Sequence, residues 1–223
     1  MSSESALLFD LDGVLLDSYL PITGCINHVL EEHALPRRAP ESLRRFIGPP
    51  LGLAFAEMTG AAPNSPLVTS CLAAYRSRYR AVSLRETTVM PGVADVLERL
   101  AGQFRLAVAT SKPLAYAEPL LEVLGLRHLF TAVSGPDVTG ETEGKAQTIA
   151  KALAALGHPT RSVMIGDRSF DIRGARTHAI PAIGVTWGIG DREELEGAGA
   201  DAIIDEPGEL PGVVTRLLNG DQV

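Results

Sequence analysis

Two carboxylates stand two residues apart near the start of the chain, in the segment Phe-Asp-Leu-Asp-Gly that contains Asp10 and Asp12. They directly follow the apolar run 6–9, which is typical of a strand buried on both faces of a sheet. Side chains two residues apart point to the same side of a strand end. One carboxylate can therefore attack an electrophile, while the other protonates a leaving oxygen and later deprotonates water. The alternative is a strand-end turn in which Asp caps backbone amides and Gly13 takes a positive φ.

A second group of polar residues consists of Thr110, Ser111 and Lys112, which directly follow the apolar run 106–109 and precede Pro113. Hydroxyls and amides at a strand-to-helix turn can hold phosphate oxygens. The same pattern is also typical of a Ser or Thr that caps a helix before a proline. It predicts a phosphate site only in combination with the first group.

Lys145 is the third candidate, at the start of a predicted helix whose apolar stripe includes Ile149 and Leu153. A cation at a helix N-terminus is unfavourable against the dipole, so this lysine is either a solvated surface charge or functional. An ammonium here could neutralise both a carboxylate nucleophile and a phosphoryl group, which otherwise repel each other.

The fourth candidate group is Asp167 and Asp171, which follow the apolar run 163–165. Carboxylates four residues apart can face one ion if a helix begins between them. Mg2+ prefers oxygen ligands, keeps several waters and takes few protein carboxylates. Asp10 and Asp167 would then be direct ligands, with the carbonyl oxygen of Asp12 as a third. Asp171 would bind directly or through water, although either acid alone could simply cap a helix or compensate its dipole.

The four groups together supply a nucleophile, an acid/base, phosphate-oxygen donors, a charge neutraliser and a cation site. Positioning and electrostatics are nearly all that phosphoryl transfer requires of a protein. The combination therefore predicts an enzyme that acts on a phosphate ester.

A parallel sheet with helices on both faces would position these groups. Short apolar runs alternate with amphipathic stretches after Pro91, which is the pattern of an α/β fold. Ligands of such sheets bind at the carboxyl ends of the strands, where all four groups fall. The expected strands are residues 6–9, 106–109, 132–134, 163–165, 182–185 and 202–204.

The segment between the first strand and the others shows helical apolar stripes broken by prolines and no strand pattern. We therefore predict a discontinuous α/β core domain, residues 1–17 and 89–223, that closes around an inserted all-helical cap domain, residues 18–88.

Charge and hydropathy exclude several classes of protein. The net charge is −7, and the predicted cap carries eight Arg against five acidic residues, without a Lys/Arg run. We therefore expect no nucleic acid polymer as a partner, whereas the local positive excess could attract a small anion.

No apolar run reaches the roughly 18 residues of a membrane span, and residues 1–5 have no basic start, so we expect a cytoplasmic protein. Cys25 and Cys71 lie in helical stripes and are expected to be buried thiols.

The segments FDLDGVLLDS, ATSKP and GDRSFDI, together with Lys145, closely resemble the four motifs of the haloacid dehalogenase superfamily. The resemblance covers essentially the whole chain, and FIGPPL and GVTWGIG are similar to the phosphoglycolate phosphatase-like branch. It implies a Rossmann-like core, a small helical cap, Mg2+ as cofactor and hydrolysis of a small-molecule phosphate monoester. Asp10 would form an aspartyl-phosphate while Asp12 acts first as general acid and then as general base.

The resemblance also implies which residues contact substrate. Thr110 would belong to the catalytic set, and Arg45 and Gly48 of the cap would contribute to substrate choice, although an arginine on a helix is more often a solvated charge. Arg168 stands where many relatives have a small polar residue, and its role is open. Backbone amides and polar groups would line the phosphate pocket at Leu11, Asp12, Gly13, Ser111 and Lys112.

Other activities share parts of this pattern. A phosphomutase would use the same core and differ in the cap, and a non-catalytic phosphate-binding protein would be expected to lack one of the acids or the lysine. A dehalogenase has no need for the acid at Asp12, and a phosphonate hydrolase would be expected to have a cap lysine, which residues 18–88 lack. We expect a phosphatase that is a monomer or a homodimer.

Overall fold

A computed structural model describes residues 5–137 and 143–220 of the chain. The chain forms two compact units, one made of the segments up to Asp17 and from Thr88 onward, the other of Ser18–Thr87. The expectation of a cytoplasmic protein partly depends on the sequence of residues 1–4, which lie outside the described residues. That the helical unit acts as a cap stays a prediction.

The strands of the described residues all belong to the larger unit. In chain order they are β1 (Ser5–Phe9), β2 (Leu16–Asp17), β3 (Thr88–Val89), β4 (Arg105–Ala109), β5 (Phe130–Ser134), β6 (Arg161–Gly166), β7 (Ala182–Val185) and β8 (Ala202–Ile204). Six of them form one sheet in the order β5-β4-β1-β6-β7-β8, and every neighbouring pair is parallel. Each expected strand is present within two residues of its predicted bounds, so the predicted α/β fold is confirmed.

The α-helices of the described residues divide between the two units. The helical unit contains α1 (Tyr19–Glu32), α2 (Pro40–Leu43), α3 (Leu51–Thr59) and α4 (Pro66–Glu86). The larger unit contains α5 (Val93–Ala101), α6 (Leu114–Val123), α7 (Lys145–Ala155), α8 (Ser169–Arg176), α9 (Arg192–Ala198) and α10 (Leu210–Asn219).

Alternate residues of the sheet pack in two apolar layers. Leu7 and Phe9 of β1 belong to the layer that includes side chains of α5, α6 and α10. Ala6 and Leu8 belong to the opposite layer, with side chains of α7, α8 and α9. Because β1 is buried on both faces, its sequence is a continuous apolar run rather than an alternating one.

One pair of strands was not predicted. β2 and β3 are antiparallel and pair Leu16 with Val89 and Asp17 with Thr88, where the chain leaves the larger unit and returns to it. Two residues per strand are too few to show an alternating pattern, and the partners are far apart in the sequence.

In the helical unit, α1 and α4 bury the apolar stripes seen in the sequence. Cys25 and Cys71 are free and buried, as predicted. The rings of Tyr75 and Tyr79 stack with centroids 5.5 Å apart. Within the part of the chain that the structure describes, no helix combines the length and apolar character needed to cross a membrane.

Candidate active site

Three adjacent strands deliver polar residues to one edge of the sheet. Asp10 follows β1, Thr110 follows β4 and Asp167 follows β6. All three residues are buried, and Asp167 is completely so. The parallel arrangement therefore brings together side chains that are far apart in the sequence, at the edge where such sheets bind ligands.

Lys145, the first residue of α7, lies at the centre of this edge. Its Nζ is 2.7 Å from Oδ1 of Asp10 and 2.8 Å from Oδ1 of Asp171, and it donates a hydrogen bond to the carbonyl oxygen of Ala109 at 3.0 Å. An ammonium has three donors, and each has a partner here. Burial disfavours the charge, but Asp10 and Asp171 raise the pKa of Lys145 above its ordinary value. The lysine is a buried permanent cation and not a solvated surface charge.

Three buried carboxylates, two of which contact this cation, form a cluster. Asp10, Asp167 and Asp171 each offer an oxygen atom, and these oxygens lie within 4.8 Å of one another. Burial raises the pKa of Asp10 to about 6, with Lys145 lowering it and Asp171 raising it. Burial, Asp171 and Asp10 raise the pKa of Asp167 well above its ordinary value. The single positive charge of Lys145 does not neutralise three buried carboxylates. A divalent cation would stabilise the remaining negative charge.

Asp12 pairs with a second lysine. Oδ2 of Asp12 is 2.8 Å from Nζ of Lys112, whose side chain is 6% exposed against 16% for Asp12. The amide of Lys112 donates to Oγ1 of Thr110 at 3.1 Å. The sequence pattern suggested Lys112 as a phosphate ligand, and the structure adds a contact with the expected acid/base.

The backbone amide of Gly13 does not have the environment expected from the sequence. We expected it to line the phosphate pocket, but it donates to the carbonyl oxygen of Leu16 at 2.9 Å and so closes the turn after β1. Gly13 has φ +87°, and a Cβ atom there would lie 2.9 Å from Cγ of Asp167. The glycine is required for the turn and for the space that Asp167 occupies.

The side chain of Arg168 pairs with Glu194. Its Nε donates to Oε1 and Oε2 of Glu194 at 3.0 and 3.2 Å, and its guanidinium lies 5.5 Å from the ring centroid of Phe170. Its backbone amide donates to Oδ2 of Asp171 at 3.0 Å. Glu194 therefore holds the side chain of Arg168, and the backbone of Arg168 helps to orient an acid.

The sequence interpretation missed the contribution of the segment after β7. The amide of Ile189 donates to Oδ2 of Asp167 at 2.7 Å, and Nε1 of Trp187 donates to the carbonyl oxygen of Val14 at 3.2 Å. Ile189 acts through its backbone, so its residue type carries no signal for this role. The motif GVTWGIG was noted only as a similarity to one branch of the superfamily.

Gly188 of this segment leaves no room for a side chain. A Cβ atom there would lie 2.5 Å from Cβ of Asp167. We expect Gly188→Ala to lower the free energy of unfolding by about 1–3 kcal/mol, the usual effect of overpacking a rigid core. Gly212 of α10 is the matched control, since a Cβ atom there meets nothing within 4 Å and alanine is favoured by up to about 1 kcal/mol in a helix. Urea unfolding of both variants should show shifts of opposite sign, and equal shifts would contradict this account.

Two expected substrate residues lie in the helical unit. The guanidinium of Arg45 pairs with Glu57 and lies 4.5 Å from the ring centroid of Phe46. Gly48 has φ +105°, a conformation that favours glycine. A role of both residues in substrate choice stays a prediction.

A family model described as haloacid dehalogenase-like hydrolase matches residues 7–185. The chain belongs to this family. It is 33% identical to the probable phosphatase IndB of Dickeya dadantii over 95% of this chain and 94% of that protein. It is also 33% identical to a phosphoglycolate phosphatase of Chromobacterium violaceum over 92% of this chain and 94% of that protein.

The structure of a predicted phosphatase from Clostridium acetobutylicum is similar as well, with a TM-score of 0.88, 34% identity and coverage of 97% of this chain and 100% of that one. Other relatives at 32–33% identity have the names 5′-nucleotidase and tyrosine-protein kinase PtkA. The predicted superfamily, the phosphoglycolate phosphatase-like branch and the assignment as a phosphatase are confirmed.

Proposed function

We propose that this phosphatase hydrolyses a small-molecule phosphate monoester through an aspartyl-phosphate formed on Asp10. The observation that carries the proposal is the environment of Asp10. Its carboxylate lies 2.7 Å from the ammonium of Lys145, within the cluster of acids and two residues before Asp12. Burial raises the pKa of Asp10 to about 6, but the adjacent ammonium favours the carboxylate form, which can act as a nucleophile.

In the first step, a carboxylate oxygen of Asp10 attacks phosphorus, and the bond from phosphorus to the ester oxygen breaks. Asp12 acts as general acid and transfers a proton to the leaving oxygen, which departs as an alcohol. Lys145 reduces the repulsion between the Asp10 carboxylate and the anionic phosphoryl group. The hydroxyl of Thr110 and the polar groups of Ser111 and Lys112 supply donors to the phosphoryl oxygens.

In the second step, Asp12 is a carboxylate and takes a proton from water. The water oxygen bonds to phosphorus as the bond from phosphorus to the Asp10 oxygen breaks, which releases phosphate and regenerates Asp10. The contact of 2.8 Å between Lys112 and Asp12 orients this acid/base for both proton transfers.

The same edge of the sheet fits an Mg2+ ion. Asp10 and Asp167 would hold it directly, with the carbonyl oxygen of Asp12 as a third ligand. Oδ1 of Asp167 is buried and has no hydrogen-bond partner among the described residues, which suits a ligand atom. Asp171 contacts Lys145 through Oδ1 and the Arg168 amide through Oδ2, which favours a role through water. The ion would supply positive charge to the phosphoryl oxygens.

The names of relatives define the ester panel to test. They include phosphoglycolate phosphatase and 5′-nucleotidase, so the candidate substrates are phosphoglycolate, nucleoside monophosphates and sugar phosphates. The name tyrosine-protein kinase of another relative adds a tyrosine phosphate ester to the panel. No contact among the described residues favours one of these esters, and the helical unit is the proposed source of the choice.

Phosphate release from this panel tests the proposal. We expect release with Mg2+, no release with EDTA, and a preference for one ester. Addition of Mg2+ in excess of EDTA should restore the activity, which separates metal removal from unfolding. Release that is equally fast in EDTA would contradict the proposed cation. Transfer of phosphate between positions of a hexose phosphate, without release, would favour a phosphomutase.

A further inference from the structure

Glu194 of α9 reaches the segment that carries two of the buried acids. We call residues 167–171, which follow β6 and include the first three residues of α8, the acid loop. Oε1 of Glu194 accepts hydrogen bonds from the backbone amide of Ser169 at 2.8 Å and from Nε of Arg168 at 3.0 Å. One carboxylate outside the acid cluster therefore contacts two successive residues between Asp167 and Asp171.

The segment that carries Glu194 also holds the first acid of the acid loop. The amide of Ile189 donates to Oδ2 of Asp167 at 2.7 Å. Asp191 then caps α9, since its Oδ1 accepts from the amide of Glu194 at 2.8 Å. The segment 189–194 thus contacts the acid loop both at its first residue and at its middle.

The contact of Glu194 is transmitted to the second acid through Arg168. The side chains of Arg168 and Glu194 are 11% and 26% exposed, so this ion pair is shielded from solvent more than an ordinary surface pair. The amide of Arg168 donates to Oδ2 of Asp171 at 3.0 Å. Glu194 restrains the side chain of Arg168, and this restrains the backbone amide of Arg168 that orients Asp171.

We propose that Glu194 is a positioning residue for the divalent cation site. It holds the acid loop in the conformation in which Asp167 and Asp171 face Asp10, against the mutual repulsion of three buried carboxylates. The inference rests on the cation site proposed above. Loss of a group that orients metal ligands commonly weakens metal binding by about 10–100-fold.

Glu194→Ala and Glu193→Ala are matched variants. Both acids lie in the first turn of α9, so both substitutions remove the same charge and the same interaction with the helix dipole. Glu193 is exposed. Mg2+ dissociation constants should be measured by calorimetry and checked by the fluorescence of Trp187, the single tryptophan. Melting temperatures should be measured in EDTA.

We expect Glu194→Ala to raise the Mg2+ dissociation constant about tenfold or more, and Glu193→Ala to leave it unchanged. Equal dissociation constants in the wild type and both variants would overturn the inference while leaving the cation site intact. A lower melting temperature of Glu194→Ala without a change in Mg2+ affinity would also overturn it, because the role would then be structural only. A wild type that binds no Mg2+ would remove the proposed cation site and this inference with it.

Glu194→Gln covers the case in which the alanine variant does not fold. Glutamine keeps an oxygen that can accept from Ser169 but loses the charge that pairs with Arg168. We expect its Mg2+ affinity to be lower than that of the wild type, and wild-type affinity would overturn the inference.

Discussion

Asp10→Asn should lower kcat by roughly 10⁶-fold, the scale of losing a catalytic nucleophile, while the fold is retained. Asparagine has nearly the same shape as aspartate and can still accept a hydrogen bond from Lys145, which contacts Asp10 at 2.7 Å. It cannot form the acyl phosphate, because a neutral amide has no carboxylate oxygen to attack phosphorus. Steady-state hydrolysis of p-nitrophenyl phosphate measures the loss, and circular dichroism checks the fold.

Asp95→Asn is the control for this substitution. Asp95 is exposed in the first turn of α5, so its replacement removes one negative charge without touching the acid cluster. We expect its kcat to be unchanged. Near-normal activity of Asp10→Asn would rule out Asp10 as the nucleophile.

Lys145→Met should lower kcat by about 10²–10³-fold, the usual effect of removing one preorganised charge from a developing anion. The apoprotein should also lose about 3–5 kcal/mol of its free energy of unfolding, because Asp10 and Asp171 would be left as buried acids without their cation. Methionine fills a similar volume, so the loss reports charge rather than a cavity. Phosphate release and urea unfolding in EDTA measure the two effects.

Lys151→Met provides the comparison within the same helix. Lys151 pairs with Glu143 at 2.6 Å, but its side chain is 50% exposed, and exposed ion pairs contribute about 0–1 kcal/mol. We expect wild-type kcat and a small change in stability. If both lysine variants had the same kcat and the same stability, the proposed role of Lys145 would be wrong.

The fold could be predicted to a large extent because β1, β4 and β6 are buried on both faces and leave continuous apolar runs. Their ends were found within two residues. β5 begins two residues earlier than expected, at Phe130, whose ring packs edge-on against Phe9 with centroids 6.3 Å apart. Such a contact joins residues that are distant in the sequence, so no local sequence pattern predicts it.

The candidate site was predictable where a side chain carries the chemistry. The acids and Lys145 were expected to meet because each follows a strand or begins a helix at one edge of the sheet. The supporting contacts were not predictable, because the amide of Ile189 acts through the backbone and Glu194 is one of several acids in α9. The pairing of Lys112 with Asp12 depends on the order of β4 and β1 in the sheet, which periodicity does not determine.

The aspartyl-phosphate itself is the most direct test of the account. Wild-type enzyme turning over p-nitrophenyl phosphate with Mg2+ should be quenched in acid within one turnover and treated with borohydride, which reduces an aspartyl-phosphate to homoserine. Peptide mass mapping should then find homoserine at position 10 in the wild type and not in Asp10→Asn. A phosphoryl group or homoserine at another residue, or aspartate unchanged at position 10 throughout turnover, would contradict the proposed mechanism.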